Sequence, residues 1–235
     1  EKPFDCKSLA YLIVMAWGVA ACSPALQPEA PADTSAPQTF VPATKVSGYV
    51  SFTPKQGWFA LVDGDGPVPL MLSNSDDAGV LRAAGDLSED VQRVTGQLPE
   101  VHQLSDDEMP GAERVIIAGT LGESPLIDRL VREGHLPAEE LKGKWETFRM
   151  EVVQQPMKGI GEALIIAGSD PRGTIYGLYE LSEQIGVSPW FWWADVPVPQ
   201  QEEIYVNPRP HSLGEPRVKY RGIFINNENP GLLGW

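Results

Sequence analysis

Three places in this sequence gather residue types that could do chemistry. The first is Asn226-Asn227-Glu228, two amides and a carboxylate directly after the apolar run 218–225. A carboxylate at the tip of a strand can act as an acid, as a base or as a clamp on a hydroxyl group; a solvated loop is the plain alternative. The second is Gly168-Ser169-Asp170-Pro171-Arg172-Gly173-Thr174, which reads as a strand running into a helix. Free amides at a helix N-terminus, with Arg172 beside them, could hold a carboxylate. The alternative is simple capping by Asp170, with Gly173 and Gly177 letting the helix pack closely. The third is "SPWFWWADVPVP", residues 188–199, where four aromatic rings precede Asp195. Aromatic faces suit the C–H patches of sugar rings, and Asp195 could accept hydrogen bonds from hydroxyls. In an extended segment alternate rings face opposite sides. Part of Trp190, Phe191, Trp192 and Trp193 is therefore expected in a core between two domains. The rest, with Trp193 and Asp195 as candidates, is expected to face a cleft.

Other chemistries lack their residues. No nucleophile elbow, P-loop or dinucleotide fingerprint is present, and the glycines of "GDGPVPL" and "AGTLGES" have the wrong spacing. Asp63-Gly64-Asp65-Gly66 reads as a turn, too short for a calcium loop. The two cysteines, Cys6 and Cys22, both lie near the N-terminus, and His102, His135 and His211 are far apart, so neither a disulfide framework nor a metal site is expected. No cofactor is expected. With 18 Lys and Arg against 32 Asp and Glu, the formal charge is −14 and no basic run occurs, which argues against a nucleic-acid partner.

The elements that must position these residues alternate between strand and helix. Residues 58–62 and 68–72 are apolar runs flanking the Gly/Asp turn. A helix is expected over 76–95, where Val80, Ala84, Leu87, Val91 and Val94 repeat on one face and Gly96 supplies the stop. Residues 114–119 and 162–169 read as buried strands, and 146–153 as a strand exposed on one side. Helices are expected over 124–133, with Pro125 in the first turn, and from Asp170 to a stop at Gly186. A proline-rich connector then carries one short strand, "EIYV". This order implies an α/β domain with a mixed sheet over 46–200. Residues 201–235 form the connector and, over 218–225, the first strand of a second domain, because active groups of (β/α)8 barrels sit at such strand tips. That second domain is expected to be truncated at Trp235, since a barrel needs about 250 residues.

The first 45 residues read as an address. Residues 1–22 combine Lys2 and Lys7, an apolar stretch from Leu9 to Val19 and the small residues before Cys22, the pattern of a lipoprotein-type signal peptide with Cys22 as the lipidation site. An ordinary cleaved leader is the alternative. Residues 23–45, rich in Pro, Ala, Ser and Thr, form a tether. The protein is therefore expected to be secreted or held at the cell envelope, touching a membrane through a lipid anchor alone.

Several longer stretches fit together. "GVLRAAGDLSEDVQRVTG", "AGTLGESPLIDRL", "LKGKWETF", "IAGSDPRGTIYGLYELSEQIGVSPWFWWADVPV" and "VKYRGIFINNENPGLLGW" occur in an order that resembles the N-terminal part of glycoside hydrolase family 115. The resemblance runs from about Trp58 to Trp235. Members of that family are xylan α-1,2-glucuronidases. The resemblance implies an N-terminal domain like the second domain of β-hexosaminidases, followed by a catalytic (β/α)8 TIM barrel. It also implies inverting removal of (4-O-methyl)glucuronic acid from glucuronoxylan or its oligosaccharides. Ile225-Asn226-Asn227-Glu228 resembles the family's Ile-Asn-Asp-Glu motif, with Asn227 where Asp is usual; an amide cannot move a proton as a general acid or base. Glu228 is the catalytic candidate, and most of the catalytic groups are expected beyond Trp235. Asn226, Asn227, Arg172, Trp193, Asp195 and Arg221 are substrate-binding candidates. Arg172 and Arg221 supply the positive charge an anionic sugar needs. A non-catalytic glycan-binding surface lipoprotein and an inactive relative are the alternatives. The chain alone is expected to be inactive, and a dimer is left open for the full-length protein.

Overall fold

The computed structural model describes residues 48–105 and 111–224, with backbone alone for Trp192 and Trp193. Residues 1–47 lie outside the described residues, and with them Cys22 and the tether. The same holds for 225–235, from the Asn226, Asn227 and Glu228 cluster to Trp235. The expectation that most catalytic groups lie beyond Trp235 therefore concerns sequence outside this chain, and the one catalytic candidate within it, Glu228, is outside the described residues.

Among the described residues nine strands form two sheets. The larger is built on β6 (Ala112–Thr120) and β8 (Ile160–Gly168), each nine residues long and each buried over its last six. Both run through nearly unbroken apolar sequence because both of their faces are covered. Ile116, Ala118, Leu164 and Ile166 point to one face; Val115, Ile117, Ala163 and Ile165 point to the other, each set in its own core cluster. β4 (Leu70–Ser73) and β5 (Val101–Leu104) extend the sheet on one side, and β7 (Phe148–Gln154) closes the other. The order is β5-β4-β6-β8-β7, parallel except for the antiparallel edge strand β7.

Three longer helices cover the sheet. α1 (Ala78–Thr95) buries the five residues its periodicity singled out, Val80, Ala84, Leu87, Val91 and Val94. At roughly 1.5–3 kcal/mol for each fully buried Val or Leu, this face outweighs its intrinsic propensity. The carboxylate of Asp77 accepts from the Gly79 amide at 2.7 Å, and Gly96, at φ 77°, ends the helix in the left-handed conformation. α2 (Pro125–Arg132) covers the opposite face with Ile127 and Leu130. α3 (Pro171–Gln184) lies beside α1, against Leu164 and Ile166.

The second sheet is small and antiparallel, in the order β1-β9-β2-β3: β1 (Val50–Ser51), β2 (Phe59–Asp63), β3 (Gly66–Pro67) and β9 (Ile204–Val206). The Gly/Asp turn joins β2 to β3 as expected, Val62 pairing with Pro67 and Asp63 with Gly66. The second apolar run does not pair with the first, however: β3 ends at Pro67, before the run begins, and the run crosses to β4 in the other sheet. β9 inserts between β1 and β2, so the fold does not finish at residue 200 but draws the expected connector into its core, with Ile204 and Val206 buried.

One further expectation is corrected. Residues 191–194 are not extended: Phe191–Ala194 form a helical turn, α4, closed by Asp195 at φ 48°. The alternation of rings argued for a strand therefore does not apply. Residues 218–224 form no strand among the described residues, and Tyr220 and Phe224 are 86% and 90% exposed. A strand exists only through its ladder of hydrogen bonds, and no described strand lies alongside to supply one.

Candidate functional site

The carboxyl end of β8 and the segment leading into β7 meet at the N-terminus of α3. Asp170 caps that helix: one carboxylate oxygen accepts from the Gly173 amide at 2.8 Å, the other from the Glu146 amide at 2.6 Å. Ser169 and Thr147 exchange hydrogen bonds alongside. Gly173 lies so close to the Thr147 carbonyl that a Cβ there would overlap it, and Gly177 would meet Ile166 at 2.7 Å. Capping and close packing thus account for Asp170, Gly173 and Gly177. Thr174 continues the tie into the core, its hydroxyl 2.8 Å from that of Thr120 and 3.1 Å from the Gly119 carbonyl.

Arg172 and Arg221 come together, as two groups serving one anion must, but a protein carboxylate lies between them. Arg172 pairs with one oxygen of Glu146 at 3.1 Å, and Arg221 pairs with the other. Both guanidinium groups also donate to the hydroxyl of Tyr176, at 3.1 Å each. The Arg221 guanidinium lies 5.7 Å from the ring centroids of both Trp145 and Tyr176, within cation–π range. The pairing with Glu146 raises the pKa of Arg221, as the Tyr176 contact does for Arg172, so both stay fully charged. Glu146 is largely buried and holds φ 48°, a left-handed conformation that a non-glycine residue keeps only when its surroundings fix it.

Sequence reasoning missed Glu146, Tyr176 and Trp145. Glu146 and Arg221 are 75 residues apart, and no local pattern marks such a pair. Tyr176 was findable, since it stands one helical turn after Arg172. Asp195 sits exposed at the end of α4. Trp193 is placed by its backbone in the same turn. Of its neighbours, Phe191 packs against the core and lies 5.3 Å from Arg93, while Trp190 is 55% exposed.

Tyr176 also borders a groove of about 700 Å³ between α1 and α3, closed by Val187, Phe191 and Leu213. Asp86, Glu89, Asp90, Glu180 and Glu183 line it against Arg82 and Arg93, a balance that repels an anionic sugar. Burial raises the pKa of Asp90. At the carboxyl ends of β4 and β6, where the sheet order reverses and doubly wound folds often bind ligands, the two loops close on each other. Asp76 accepts from the Thr120 amide at 3.1 Å there. No group of three or more His, Cys, Asp or Glu among the described residues could hold a metal ion. No helix among them is long and apolar enough to cross a membrane.

A solved structure relates this chain to the glycoside hydrolases. The chain is similar to a family GH115 4-O-methyl-α-glucuronidase, BtGH115A, with specificity for decorated arabinogalactans. The identity is 32% and the TM-score 0.50 over 66% of this chain and 18% of that one. This chain thus spans less than one fifth of that enzyme's length. A GH20 β-N-acetylhexosaminidase from Streptomyces coelicolor A3(2) aligns over 72% of this chain and 25% of its own, at 14% identity and TM-score 0.37. No family model and no curated protein matches the sequence.

Proposed function

We propose that this chain is the leading α/β unit of a glycoside hydrolase that removes (4-O-methyl)glucuronic acid from a polysaccharide by inverting hydrolysis. The observation that supports this is the 32% identity with a GH115 4-O-methyl-α-glucuronidase over 66% of this chain. In this reading residues 218–225 join a catalytic barrel by pairing with strands supplied beyond Trp235, and Asn226, Asn227 and Glu228 stand at the mouth of the sugar site. Glu228 is the group able to exchange a proton; Asn227 can hold a hydroxyl and no more. Two guanidinium groups share the single carboxylate of Glu146, and Asp170 is taken up by the amides it caps. One positive charge is left over, and it meets the uronate. The polysaccharide is glucuronoxylan or a uronate-decorated arabinogalactan. Residues 1–22 deliver the protein to the cell envelope, with Cys22 as the lipid attachment point.

The test is release of 4-O-methylglucuronic acid from each polysaccharide by the protein of the complete reading frame. Release by the wild type, lost in Glu228→Gln, supports the proposal. Binding without release in the wild type and in Asn227→Asp would replace it with a glycan-binding module. Arg172→Ala and Arg221→Ala are expected to raise KM with little change in kcat; an unchanged KM removes both arginines from the sugar site. Incorporation of labelled fatty acid, abolished by Cys22→Ser, tests the anchor.

A further inference from the structure

We infer that Glu146 is the catch of a built-in strap: it holds residues 211–221 against the α/β body and so fixes the direction in which the following residues leave it. The inference stands on the described residues alone and does not depend on the activity proposed above.

The strap is fastened at three points. At its start, His211 forms an antiparallel bridge with Met150 of edge strand β7, the two backbone bonds being 2.9 and 2.8 Å. The His211 ring stacks on Tyr49, centroids 4.5 Å apart, and its Nε2 lies 2.9 Å from Glu180 of α3. In the middle, the carboxylate of Glu215 accepts from the Trp145 amide at 3.1 Å. At the end, Arg221 reaches Glu146 and Tyr176, and its other guanidinium nitrogen donates to the Val218 carbonyl, which curls residues 218–221 around the side chain.

These fastenings are unequal. Residues 212–220 form no regular structure and bury little apolar surface, so nothing but side-chain contacts orders them. Val218 and Tyr220 face outward and contribute no core packing. Glu146 is different in kind. Its side chain is 10% exposed, and a carboxylate so placed must be matched by charge. Arg172 on α3 is one partner and Arg221 on the strap is the other. The first ties Glu146 to the body; the second ties the strap to Glu146. Its left-handed backbone, held by the bond from its amide to Asp170, aims the side chain at both. Asp170 is therefore a positioning residue for the catch.

Backbone order parameters from 15N relaxation test this on the 235-residue chain. In the wild type, residues 215–221 should resemble α1 and α3, near about 0.85, and in Glu146→Gln they should fall below about 0.6 while the helices stay unchanged. Arg221→Gln, which leaves the Glu146–Arg172 pair intact, should give the same loosening and covers the case in which the Glu146 variant does not fold. Residues 215–221 already mobile in the wild type, or equally ordered in both single variants, would overturn the inference.

Discussion

Gly173→Ala separates a glycine required by close approach from one that is merely present. The added Cβ would lie inside 3.0 Å of the Thr147 carbonyl oxygen, with the Thr147 amide nitrogen at 3.1 Å. Both obstacles are backbone, so neither side can relieve the overlap by rotating a side chain. α3 must move away from the segment entering β7, and that movement loosens the Asp170 cap and the packing of Gly177 on Ile166. Overpacking costs about 1–3 kcal/mol where side chains can adjust, so the upper end, about 3 kcal/mol, is expected here. For a domain of this size that is a fall in Tm of roughly 6–12 °C. Gly85→Ala is the control: Gly85 lies within α1 with nothing inside 4 Å of its Cβ position. There alanine should stabilise by about 0.5–1 kcal/mol through helix propensity alone. Thermal and urea unfolding of both variants, measured side by side, read the difference. Equal stabilities for Gly173→Ala and the wild type would refute the packing argument for the site.

Asp170→Ala removes the acceptor for two amides, those of Gly173 and Glu146. A loss of about 1–2 kcal/mol in urea unfolding is expected, and a loss below about 0.3 kcal/mol would mean water replaces the cap. Thr174→Val leaves the buried Thr120 hydroxyl and Gly119 carbonyl short of a partner. It should cost about 1–3 kcal/mol, whereas a neutral result would place water between them. Burial raises the pKa of Asp76 above its ordinary 3.8, outweighing the hydrogen bond from the Thr120 amide. A carboxyl group that holds its proton more tightly when folded contributes stability at low pH and loses it as pH rises from 3.8 through the folded value. Asp76→Asn should therefore gain on the wild type as pH is raised toward neutrality, and unfolding curves that stay parallel would contradict this.

The large sheet and its helices could be read from the sequence because each carries a signal in its own residues. α1 has five apolar positions on one face between Asp77 and Gly96, and β6 and β8 are apolar runs long enough to be buried on both sides. The small sheet could not be so read. β1 is two residues long, and β9 gains its place by pairing with strands about 150 residues earlier. β5, "VHQL", shows no alternation and is a strand because β4 offers it a ladder. The aromatic run misled because Trp and Phe favour strands, yet Ser188-Pro189 is a turn-opening pair. The Ser188 carbonyl accepts from the Phe191 amide at 2.9 Å and its hydroxyl from the Trp190 amide at 3.1 Å. At the site, charge complementarity brought Arg172 and Arg221 to notice as a pair. The carboxylate between them did not show, since "WETF" reads as the start of a strand and gives no hint of a left-handed glutamate.

β1 and β9 share two rungs, Val50 with Val206 and Ser51 with Tyr205, and run in opposite directions. Tension on the two strands themselves, at residue 50 and at residue 206, would meet those rungs one after another, as in peeling tape. The fastenings at Arg221, Glu215 and His211 would give way before this seam, so the strap shields the two-rung pairing and the core residues Val50 and Val206 behind it from a pull on the downstream chain.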